Sequence, residues 1–175
     1  MNKKGAITDI FLFIIMSFVV VLICGIFVYI GNTTQAQLHT TMEDMEFANI
    51  NASETIDDTM GAVSLSYEAL EWLSFLIIAG MMFSILIGSY LVTTKPIFFI
   101  PYIFISIIAV SLSVTVSNAY ETLINNATLS SSFLGFTASN YILLHLPIWV
   151  TIIAFAGAIM MFSRLGRGGY QDAYV

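Results

Sequence analysis

The 175-residue chain is short of charge: five Lys and Arg in all, and only 9% charged residues. Soluble domains carry about 25%, so a water-exposed globule is excluded. Cys24 is the single cysteine, which rules out an internal disulfide. There is no G-x-S-x-G, no H-E-x-x-H, no C-x-x-C and no glycine-rich phosphate loop. The sequence therefore offers no catalytic residue, no cofactor site and no metal centre. His39 and Glu43 share i, i+4 spacing, but two ligands alone make a weak metal site. His145 reads as a hydrogen-bonded residue at the membrane interface.

Apolar residues make up 58% of the chain. Four nearly charge-free windows, near 10 to 31, 72 to 94, 97 to 117 and 142 to 163, each reach the roughly 20 residues needed to cross about 30 Å of hydrocarbon. The fold class expected is all-α: a four-helix transmembrane bundle with a helical hairpin outside the membrane. Its segments are an N-terminal span (1–31), an outer acidic hairpin (32–71), a transmembrane hairpin (72–117), an outer interfacial loop (118–141), a fourth span (142–163) and an inner basic tail (164–175). The first apolar run exceeds the usual 7 to 15 residues of a signal-peptide core and no A-x-A site follows it, so it reads as a retained anchor.

No window has an ionisable residue near its centre, which argues against a carrier or proton pump. Crossing four times with the N-terminus inside puts Lys3, Lys4, Lys95, Arg164 and Arg167 on one side. The opposite loops have no Lys or Arg and carry nine of the eleven acids. This is the positive-inside pattern, with both termini facing the cytoplasm or the interior of a particle. Lys95, followed by Pro96, reads as the inner pin of the turn between the second and third spans. The acidic outer face repels nucleic acid and suits either plain solvation or the docking of a basic partner or divalent cations.

Within the outer segment, Ile56, Met60 and Val63 alternate at spacings of four and three, and Leu38, Met42 and Met45 form a weaker stripe. Asn51 and Glu54 fit an N-cap pair. The stripes can pack on each other, on copies of the chain or on a partner. In the second span Gly80, Ser84 and Gly88 recur at every fourth position, and the fourth span offers Ala154 and Ala158; small residues at such spacing let helices approach closely. Pro101 and Pro147 are expected to kink or loosen their helices. Phe133, Leu134, Phe136 and Tyr141 suggest a short helix or re-entrant segment with aromatics at headgroup depth. Asn32, Asn51 and Asn126 begin N-x-[ST] triplets in the outer loops, glycosylation acceptors wherever the host has the machinery.

"KKGAITDIFLF" resembles an archaeal type IV prepilin signal, although Asp9 lies one position short of the usual acidic site and three further spans do not suit a pilin. "TTKPIFFIPYIFISIIAVSLSVTVSNAYETL" and "NYILLHLPIWVT", within the last hundred residues, resemble small multi-span membrane proteins of prokaryotic viruses and of archaeal and bacterial metagenomes. That resemblance implies a viral or mobile-element origin and names no activity. The functional expectation is a non-enzymatic structural component of a membrane assembly. Its partners would be the lipid bilayer and other membrane or coat proteins, as a homo- or hetero-oligomer and without nucleic acid. The alternative is a holin-like pore or small channel.

Overall fold

The computed structural model describes the backbone of residues 5–42, 52–91 and 99–168, and the side chains of 9–41, 66–90 and 99–163. The described residues are helical apart from short turns, without strands. In chain order the helices are α1 (Gly5–Met42), α2 (Ala52–Leu91), α3 (Phe99–Ile124), α4 (Ser130–Phe133), α5 (Thr137–Leu144) and α6 (Leu146–Gly168). Within α1, α2, α3 and α6 the stretches Asp9–Thr41, Ser66–Tyr90, Phe99–Ile124 and Leu146–Ser163 are long and apolar enough to cross a membrane. Hydrocarbon offers no partner to a backbone amide, so each crossing segment must bond within itself, and a helix does so. Hydroxyls in these helices turn back onto their own carbonyls, as from Ser17 to Phe13 O (2.7 Å) and from Ser106 to Tyr102 O (2.8 Å).

α1 is the most enclosed helix: 39% of its most apolar window is buried, against 17% for α2 and α3 and 33% for α6. It packs on α2 and α3, which in turn pack on α6, so the order around the bundle is α1, α2, α6, α3. α2 and α3, consecutive in the chain, sit on a diagonal and make no substantial contact among the described residues. The two arms of the hairpin expected over 72–117 thus pack on other helices and not on each other. Seven residues separate them, enough to bridge up to roughly 23 Å, whereas adjacent helices lie only 8–10 Å apart.

The core runs along this bundle through Ile10, Phe13, Ile14 and Val21 of α1, Ile78 and Ile85 of α2, Ala109 of α3, and Val150, Ile153 and Met161 of α6. The large outward side chains, among them Phe83, Phe104, Phe155 and Phe162, are those a bilayer would cover. Pro101 and Pro147 fall in the first turns of α3 and α6, where the missing N–H is an orphan in any case. The expected kinks are therefore starts: the chain breaks at His145 between α5 and α6 and resumes helical at Leu146. Pro96 lies outside the described residues.

Candidate interaction site

Two features mark the end of the bundle at which α1 leads into α2. The first is that α1 and α2 are 38 and 40 residues long, about 57 and 60 Å at 1.5 Å per residue. They are clasped together at this end: Tyr67 of α2 lies over Gly31 of α1 so closely that a Cβ there would overlap its hydroxyl. Around the clasp Cys24, Val28 and Phe136 form a second small core, joined by Val20, Tyr67 and Leu70. Leu38, one heptad beyond Gly31, is half-buried. Thr40 and Thr41 are exposed, with hydroxyls donated to Ala36 O and Gln37 O.

The second feature is a cap made by α4 and α5. Phe133 and Phe136, expected at headgroup depth, turn into the bundle and are 1% and 2% exposed, while Leu134 and Tyr141 stay outside. Phe133 seats its ring over Gly25, where no side chain would fit, and meets Tyr120 edge-on at 6.3 Å. The turn is then tied to α3 and α2 and within itself. The Tyr120 hydroxyl donates to Asn140 Oδ1, and Asn140 Nδ2 donates to Phe133 O at 2.7 Å. Ser74 and Ser139 share a hydrogen bond of 2.7 Å between α2 and α5. Ser117 donates to Leu144 O at 2.8 Å, and Glu71 Oε1 accepts the Thr137 amide at the start of α5 at 2.9 Å. All but the exposed Glu71–Thr137 bond satisfy polar groups that would be expensive to bury alone.

The residues singled out by the sequence are dispersed. Gly80 and Ser84 face outward, with nothing within 4 Å of a Cβ built on Gly80; Gly88 has only Asp9 Oδ2, at 3.9 Å. They do not make the packing within the bundle expected of them. The face α2 turns inward is Ser74, Ile78, Ile85 and Ser89; at about 100° per residue, position 84 is rotated about a quarter-turn from it and position 80 about half a turn. Ala154 is buried and accepts the Tyr102 hydroxyl on its carbonyl at 2.9 Å; Ala158 packs partly buried against the core. Ile56, Met60 and Val63 lie in α2 and Met42 ends α1, but their side chains, and all of Met45, are outside the described residues. So are Lys3, Lys4, Lys95, Asn51 and the side chains of Glu54, Arg164 and Arg167. Asn32 is exposed on α1; Asn126 is exposed in the turn after α3 and accepts the Thr128 amide at 3.0 Å.

The close approaches occur at Gly25, Gly31 and Gly157, the last beneath the Tyr102 hydroxyl. Gly25 and Gly31 belong to no small-residue repeat, so spacing could not flag them, whereas Gly157 lies inside the Ala154–Ala158 run; an aromatic across the interface is what requires each of them. Among the described residues no three His, Cys, Asp or Glu side chains gather as a metal site. No protein-family model, curated protein or solved structure matches the chain.

Proposed function

We propose that this multi-pass membrane protein is a non-catalytic structural component of a larger assembly in a virion membrane or a prokaryotic envelope, engaging partners through the paired outer ends of α1 and α2. The observation that carries the reading is the surplus length of these helices, which exceed the 30 Å hydrocarbon core by about 27 to 30 Å each. Holding those turns ordered costs backbone entropy, which packing between the helices and onto a partner offsets. The Gly31–Tyr67 clasp fixes the direction in which the pair leaves the membrane. The placement of all five Lys and Arg favours both termini on the cytoplasmic or particle-interior side, so the acidic pair is offered outside.

A photo-crosslinking residue at exposed Gln37, introduced into the full chain in its native membrane, tests the reading. A discrete adduct with a second copy or with one other membrane or coat protein is the expected result. Adduct-free protein that gives reproducible, mutation-sensitive conductance in planar bilayers would overturn it in favour of a pore former.

A further inference from the structure

A groove of about 570 Å³ lies between α2, α5 and α6. Glu71, Phe75, Ala79 and Met82 line it along one face of α2, with exposed Tyr141 from α5 and Trp149 from α6. From Glu71 to Met82 the helix advances about 16 Å, roughly half of a 30 Å hydrocarbon core. The groove is therefore one leaflet deep, with its single charge at the headgroup end and apolar side chains below.

We infer that it holds one outer-leaflet lipid whose headgroup carries an amine. The acyl chain would lie along Phe75, Ala79 and Met82, with the ammonium against Glu71. Charge complementarity identifies the occupant. Glu71 Oε1 takes the Thr137 amide, and one neutral N–H does not balance a carboxylate. No Lys or Arg exists between Lys4 and Lys95 or between Lys95 and Arg164, and Glu68, one turn outward, adds charge of the same sign. The other titratable side chain nearby is His145, stacked on Tyr141 at 4.6 Å with Nδ1 3.0 Å from Tyr141 O. A cation brought by the lipid balances Glu71 and also suits the faces of Tyr141 and Trp149. A headgroup with net negative charge meets repulsion instead.

The inference rests on the multi-pass membrane embedding, takes its leaflet from the proposed orientation, and does not rest on the assembly role. The test uses the full chain in nanodiscs of equal phosphatidylethanolamine and phosphatidylglycerol, with retained lipids counted by native mass spectrometry. The wild type should keep one phosphatidylethanolamine over phosphatidylglycerol by about fivefold, the ratio given by a charge interaction of about 1 kcal/mol. Glu71→Gln should remove that preference, and Ala79→Trp, which fills the groove, should remove the retained lipid altogether. Met82→Trp replaces Ala79→Trp if the latter loses its helical circular dichroism. Equal retention of both lipids by the wild type, or unchanged retention in Glu71→Gln and in the groove-filling variant, overturns the inference. Crosslinking from Gln37 in Glu71→Gln reads the assembly role separately, so the two failures are distinguishable.

Discussion

The decisive glycine is the one an aromatic ring covers. Gly157 has the Tyr102 hydroxyl directly over it and Ser89 Oγ 3.2 Å from the position of a Cβ, so Gly157→Ala must displace the bond from Tyr102 to Ala154 O. Overpacking of this kind costs about 1–3 kcal/mol, and thermal unfolding in detergent should show a clear fall in midpoint. Gly80→Leu should leave that midpoint nearly unchanged, within the roughly 0.5 kcal/mol of an outward substitution, because Gly80 faces open space. Ser89 gives a prediction of opposite sign. Its hydroxyl is the buried side-chain polar atom without a hydrogen-bond partner among the described residues, and such a group costs about 1–3 kcal/mol. Ser89→Ala should therefore raise the unfolding midpoint.

At the scale of the element, the α4–α5 cap depends on a few polar ties across a tight turn. Asn140 is central, because it accepts from Tyr120 and donates to Phe133 O. Removing it with Asn140→Ala should free the cap while the four long helices stay packed. The measurement is hydrogen exchange, which should speed up through 126–137 and change little in α1. The existence of the four long helices was legible in the sequence because hydrocarbon imposes length and apolarity together, but their bounds were not. The cap was legible only in part. Phe133 and Phe136 have the composition of interfacial anchors, and the gap over Gly25, formed by another helix, draws the first of them inward. Proline misled for a related reason: its effect depends on its position from the helix start, which apolar windows do not define to within a turn.

At the scale of the whole molecule, four crossings place the turn after α3 and the end of α6 on opposite sides of the membrane. In a Cys24→Ser background, a cysteine at exposed Thr128 should react with an impermeant maleimide applied outside intact membranes. One at exposed Ser163 should react only after permeabilisation; the reverse pattern would invert the proposed orientation. The diagonal placement of α2 and α3 leaves two packed pairs of consecutive long helices, α1–α2 and α3–α6, which are joined to each other through α1–α3 and α2–α6.

The sequence alone determined that the chain is all-helical, that four of its segments can cross a membrane, and that its Lys and Arg are segregated from most of its acids. These properties follow from how each segment meets its solvent, and segment composition is enough to read them. Tertiary structure decided which face of each helix turns inward, which glycines take an aromatic ring, and where the groove beside Glu71 opens. In hydrocarbon an outward and an inward apolar face are equally comfortable. Polarity therefore cannot select between them, and the choice falls to the fit of side chains between helices far apart in the chain.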